Sequence, residues 1–153
     1  MPRCQWRARL PGHGHQLLLL PLVGFLPATD ARIIGTVRAI EERLVVTGFV
    51  YRYDGALTDD GLPPGEGAFI ACSFWFVDNY MQQGRRSDAH RLFTRLLAVR
   101  NDVGLLAEEY HPGLRRQVGN FPQAFSHVAL VTSALSMRGS ARASGPRRSG
   151  EGD

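Results

Sequence analysis

Residues 66–84, EGAFIACSFWFVDNYMQQG, decide the fold class. Phe69, Cys72, Phe76 and Tyr80 recur at helical spacing, and the residues between them are apolar on most other faces. A helix apolar nearly all round is buried, so the spacing predicts a central helix from Glu66 or Gly67 to Gln83, ended by Gly84. Upstream, Asp54 to Gly67 (DGALTDDGLPPGEG) is turn chemistry throughout, because its Gly, Pro and Asp leave little room for regular structure. Before that lie an apolar helix from Gln16 to about Gly24 and a second from Ala31 to Leu44. Asp30 caps the second, and Ile33, Val37, Ile40 and Leu44 share one of its faces. Gly48 to Tyr53 (GFVYRY) reads as an extended connection or one small strand. Downstream, Ser87 caps a helix to Asn101 with Asp88 in its first turn, carrying Leu92, Phe93, Leu96 and Leu97. A last helix runs from Phe121 to Met137, with Phe125, Val128, Ala129 and Val131 as buried candidates. Five helices with long loops and no sustained strand give an all-α domain.

At 153 residues the chain holds one domain with a real core. The net charge of +4 is spread unevenly. Residues 1–15 carry +3 and residues 138–153 carry +2, which leaves 11 Arg against 12 acids between them. A basic nucleic-acid face on the folded part is therefore not expected. Residues 1–15 and 139–153 read as disordered arms around a domain at 16–138. Cys4 and Cys72 do not suggest a disulfide, and the reading is cytoplasmic. Leu17 to Leu26 (LLLLPLVGFL) follows an Arg-rich start like a secretory signal, but Pro21 and Gly24 interrupt it and no Ala-x-Ala site follows. At ten residues it is also too short to span a membrane.

The chemistry gathers in Leu105 to His127, LLAEEYHPGLRRQVGNFPQAFSH. Glu108 and Glu109 are followed by the ring of Tyr110, a segment rich in Arg, Gly and Asn, and a helix start. Carboxylates to activate water, rings to stack on sugar faces and donors to hold hydroxyls suit a neutral polyhydroxylated substrate. Taken alone, adjacent Glu residues are more often solvated. There is no P-loop, dinucleotide fingerprint, nucleophile elbow or HExxH. His13, His15, His90, His111 and His127 show no metal-ligand spacing, so neither metal nor cofactor is expected. Cys72, inside an apolar helix, reads as an inert thiol rather than a nucleophile for His127, which itself orders backbone or packs internally. Trp75 belongs to an aromatic row that is more often core than sugar platform. Glu66, between two glycines, is either a helix-start carboxylate or a rigidly presented acceptor at the mouth of a site.

Four strings carry a resemblance: LLLLPLVGFLPATD (17–30), DGLPPGEGAFIACSFWFVDNYMQQGR (60–85), RLLAVRNDVGLLAEEY (95–110) and RRQVGNFPQAFSHVAL (115–130). In order and spacing they resemble the C-terminal part of bacterial glucoamylase- and trehalase-type glycoside hydrolases of family fifteen, over about Leu17 to Met137. The resemblance implies part of an (α/α)6 toroid, incomplete on its N-terminal side, with an active site in the funnel at one end. It implies inverting hydrolysis of an α-glucoside or trehalose-like substrate by two carboxyl groups about 6.5–9.5 Å apart. Glu108 matches the general base, with Glu109 as second choice. Glu66, Trp75, Tyr110, Gln123 and His127 match positions that shape or line the site. His111 departs from the Asp usual after the Tyr. The family's general acid lies well upstream, and residues 1–16 do not resemble that region; a truncated or frameshifted frame would explain this. The expectation is a chain inactive alone, with an exposed apolar surface open to self-association. The alternatives are a non-catalytic carbohydrate-binding or partner-interaction module and a non-functional truncated product.

Overall fold

The computed structural model describes residues 14–51 and 67–143, with side chains described to Gly139. Of the arms expected at 1–15 and 139–153, residues 1–13 and 144–153 lie outside the described residues, as do Asp54 to Glu66 of the turn-rich stretch and Cys4. Five α-helices dominate the described residues: α1 (Leu19–Leu22, entered through a 3-10 turn at Gly14–Leu18), α2 (Ala31–Leu44), α3 (Ile70–Gln82), α4 (Arg86–Leu97) and α5 (Ala124–Ala143). Short strands accompany them: β1 (Val45–Val46), β2 (Phe49–Val50), β3 (Ala68–Phe69), β4 (Glu109–His111) and β5 (Arg116–Val118). The chain is all-α, with a two-stranded antiparallel ribbon where the sequence offered a short strand and a three-stranded antiparallel sheet that it did not announce.

Helix α3 is the axis, packed between α4 and α5 and covered at one side by α1 and the β1–β2 ribbon. Its Ile70, Phe74, Phe76 and Val77 are fully buried with Leu18, Ile40, Val50, Leu96 and Leu106. Buried polar groups stitch it in place. Ser73 Oγ donates to Phe69 O and accepts from Val50 N, and Asn79 Nδ2 donates to Leu18 O. The helix starts at Ile70 rather than at 66 or 67, because Ala68 and Phe69 pair with Tyr110 and Glu109 of β4.

Helix α2 has the expected bounds. Asp30 accepts from Arg32 N at 2.9 Å, and Ile33, Val37, Ile40 and Leu44 are all buried. The extended segment after it is a hairpin, turned by Thr47 and Gly48 at φ 51° and 81°. Such a turn favours a residue without Cβ. The Arg95 guanidinium, donating to Thr47 O, rests in the space left by the missing Cβ of Gly48.

Helix α4 is capped differently from expectation. Ser87 lies within its first turn, while Arg85 is the N-cap residue and its amide bonds Tyr80 O across Gly84. The helix ends at Leu97, not Asn101. Arg85 ties three elements together: it bonds both oxygens of Glu41 at 2.9 Å, bonds Asp88 at 2.8 Å and lies 4.0 Å over the Tyr80 ring. That contact holds the Glu41 carboxyl below its usual range, while burial and Glu41 push the Tyr80 hydroxyl up.

Helix α5 inverts the expected burial. Of the four candidates only Ala129 is buried; Phe125, Val128 and Val131 are 53%, 61% and 53% exposed, and Leu135 is 61% exposed. The helix is apolar on both sides, and its face of small residues turns inward. Ser126, Ala129 and Ser133 are buried, with Ser126 Oγ bonding Ala107 O and Ser133 Oγ bonding Phe74 O. Small side chains let two helix backbones approach, and the buried hydroxyls find carbonyl partners. No helix among the described residues is long and apolar enough to cross a membrane.

Candidate active site

Glu108 lies where α4, the β4–β5 hairpin and the start of α5 converge on the N-terminal end of α3. The segment leading into it, Leu105 to Glu108, is itself neither helix nor strand, yet every backbone polar group in it is bonded. Leu105 N donates to Asn101 Oδ1, and Leu105 O accepts from Asn101 N and Gln117 Nε2. Leu106 N donates to His127 Nε2 and Leu106 O accepts from Gln123 N. Ala107 N donates to Gln117 Oε1, and Ala107 O accepts from Ser126 Oγ. Glu108 N donates to Asn120 O at 2.9 Å, and Glu108 O accepts from Ile70 N at 3.1 Å. An irregular segment with unpaired backbone groups would be mobile or costly to bury; this one is fixed from four directions.

The two adjacent carboxylates have opposite fates. Consecutive side chains of extended backbone point to opposite faces. Glu109 turns inward, 8% exposed, and accepts from Gly67 N at 2.7 Å. Glycine is required at 67, because a Cβ there would come within 2.9 Å of Tyr110 O and 3.1 Å of Glu109 Cβ. Glu108 turns outward and is half-buried, with Oε2 accepting from Asn120 Nδ2 at 2.8 Å and Asn120 N at 3.3 Å. Its Oε1 has no hydrogen-bond partner among the described residues. Glu108 can thus take a proton from a solvent molecule, whereas Glu109 is committed to holding β3 against β4.

The other expected residues divide in the same way. Trp75 is half-buried on α3, edge-on to Phe125 at 5.5 Å. Tyr110 is half-buried, its ring 4.9 Å from Phe49. His127 is bonded at both ring nitrogens. Its Nδ1 donates to Gln123 O at 2.8 Å while Nε2 accepts from Leu106 N, which specifies one neutral tautomer. His127 and Gln123 therefore hold Leu106, two residues before Glu108, rather than presenting free polar groups. Glu66 lies outside the described residues. Cys72 is a buried free thiol. Among the described residues no group of three or more His, Cys, Asp or Glu side chains could hold a metal ion. A cavity of about 180 Å³ between α2, the β1–β2 ribbon, α3 and α4, lined by Glu41, Tyr80, Arg91 and Arg95 among others, shares no residue with this cluster. Asn101, Gln117, Asn120 and Ser126 were not anticipated. Their signal is weak: Asn120 follows a glycine and Ser126 lies in the first turn of α5, both common in ordinary turns, and nothing in the pattern marks Asn101 or Gln117.

Residues 12–135 match the family described as "Glycosyl hydrolases family 15". The chain is similar to a trehalase of Mycolicibacterium smegmatis, 47% identical over 119 residues that make up 78% of this chain and 18% of that protein. It is 45% identical to a trehalase of Mycobacterium tuberculosis over 78% of this chain and 18% of that protein. For a trehalase of Thermoplasma acidophilum the figures are 37%, 77% and 20%. The chain thus spans about a fifth of the length of the curated relatives it matches. No solved structure gives a significant match.

Proposed function

Because the chain belongs to the glycosyl hydrolases of family 15, we propose that it supplies the general base, Glu108, for inverting hydrolysis of an α-glucosidic bond in a trehalose-type substrate. The observation that carries this reading is the outward carboxylate of Glu108, fixed through one oxygen on a fully bonded backbone segment. A base of this kind removes a proton from water as the water oxygen attacks the anomeric carbon. Inversion also needs an acid to protonate the leaving oxygen, about 6.5–9.5 Å from the base so that water fits between. Glu109 does not serve, since its carboxylate is buried on Gly67 N. The acid and most sugar contacts would come from polypeptide corresponding to the four fifths of the relatives that this chain does not span. Trp75 and Tyr110 shape the wall of the site, and Gln123 and His127 support it from behind. The five helices form one sector of an (α/α)6 toroid, working in the cytosol.

The test is reconstitution. This chain is mixed with the remaining segment of a family 15 trehalase, and glucose release from trehalose is followed with the anomer of the first product recorded. Glucose with inverted configuration from the mixture, and none from the chain alone, is the expected result. Turnover by the chain alone would sink the requirement for a second carboxyl group. Trehalose binding without turnover in the mixture would favour the non-catalytic module.

The same reading assigns the outward face of α5 to a seam of the toroid. Phe125, Val128, Val131 and Leu135 on one helix form a stripe of the kind soluble monomers seldom leave exposed. Alone, the chain should self-associate through it. Replacing Val131 and Leu135 together by Glu should shift the sedimentation profile toward monomer and leave the helical circular dichroism signal in place. A parent chain that is already monomeric at high concentration would contradict the seam.

A further inference from the structure

Glu108 and Asn120 exchange three hydrogen bonds: Glu108 N to Asn120 O, and both Asn120 N and Nδ2 to Glu108 Oε2. Resting on Glu108 as the base, we propose that Asn120, with Gly119 beneath it, is a positioning residue that fixes Oε2 and leaves Oε1 as the oxygen that receives the proton from water.

A glutamate side chain has three soft torsions, and a half-exposed one would sample several rotamers. Two N–H donors on one oxygen select a single placement of the carboxylate, and the main-chain bond in the opposite direction fixes Glu108 and Asn120, just before β4 and just after β5, against each other. Gly119 makes this approach possible. A Cβ at 119 would lie 3.1 Å from Glu108 Cβ and 3.2 Å from Oε2, and the backbone there has φ +76°, which side chains disfavour. The donor must also be neutral. A carboxylate at position 120 would face Glu108 at the 2.8 Å now spanned by the amide, and two carboxylates that close cannot both ionise. One proton would stay on the pair at neutral pH, and the base would be lost. The amide is thus the side chain that fills this position and donates to the carboxylate without adding a second charge beside it.

The first arm of the test uses the 153-residue chain and needs no activity. In Asn120→Asp, the pair holds a proton in the folded state to higher pH than in the unfolded chain. Its stability relative to the parent should therefore be nearly restored below about pH 4 and fall as pH rises toward 7. Adding Glu108→Gln should abolish that pH dependence. A melting-temperature difference between Asn120→Asp and parent that is constant over this range would overturn the proposal. The second arm uses the reconstituted enzyme. Asn120→Ala should lower kcat by about 10–100-fold, as loss of a supporting hydrogen bond typically does, with KM little changed. An unchanged kcat would also overturn it. If the mixture never hydrolyses trehalose, the functional reading fails, while the first arm still decides whether Asn120 holds the carboxylate.

Discussion

Glu108→Gln in the reconstituted enzyme is expected to remove nearly all hydrolysis while leaving the fold intact. Glutamine has the same volume, and its amide oxygen can still accept from Asn120 at the position of Oε2. What it lacks is a lone pair basic enough to take a proton from water, a function that contributes roughly 10²–10⁴-fold by itself. The loss should therefore appear in kcat, with the melting temperature of the chain moving little. Glu109→Gln makes the contrast. That carboxylate is buried and bonded to Gly67 N, a charge-assisted bond about twice as strong as its neutral replacement. Its loss should lower the melting temperature and loosen β3 from β4, with activity falling only as the fold does. If Glu109→Gln silences a fully folded enzyme and Glu108→Gln does not, the base is the other carboxylate.

The separation of these two residues was not visible in the sequence. Glu108 and Glu109 follow an apolar run, and the pattern alone does not distinguish a helix end from an extended segment. Only the pairing of β4 with β3 and β5, continued at Glu108 by its backbone bonds to Ile70 and Asn120, sets the alternation that exposes one and buries the other. The support of the site was hidden for a related reason. Asn101 and Gln117 bond backbone groups four to twelve residues away, Asn120 bonds the Glu108 carboxylate twelve residues away, and such contacts leave no periodic trace. Helix α2 was readable to the residue because its cap and its apolar face agree. In α5 the apolar pattern covered both faces, and size decided which went inward: serine and alanine fit against α3, so the larger side chains were left outside. The family resemblance carried what local physics could not, since four ordered strings constrain far more than one pair of glutamates.

Asp78→Asn is expected to stabilise the chain at neutral pH and to change little at pH 4. Asp78 is 4% exposed in the middle of the α3–α5 contact, its Oδ1 has no hydrogen-bond partner, and no ion pair among the described residues includes it. Burial pushes its carboxyl up to about 6, against a smaller opposing contribution from the Ser133 hydroxyl. A carboxyl whose folded pKa lies above its unfolded value favours the protonated fold. Its contribution is fully present below the unfolded pKa, near 3.8, and is lost as pH rises through about 6. At neutral pH the fold therefore bears a buried charge costing on the order of 2 kcal/mol, which an uncharged side chain of the same shape does not incur. For a chain of this size that corresponds to roughly 5 °C in melting temperature. Asn79 Oδ1 on the same helix and Gln83 Nε2 just past its end are also buried without partners among the described residues, but they do not titrate, so the pH dependence isolates Asp78. A gain of equal size at pH 4 and pH 7.5 would mean that packing, not charge, governs the site. A loss at pH 7.5 would mean that the carboxylate has a partner whose charge it needs.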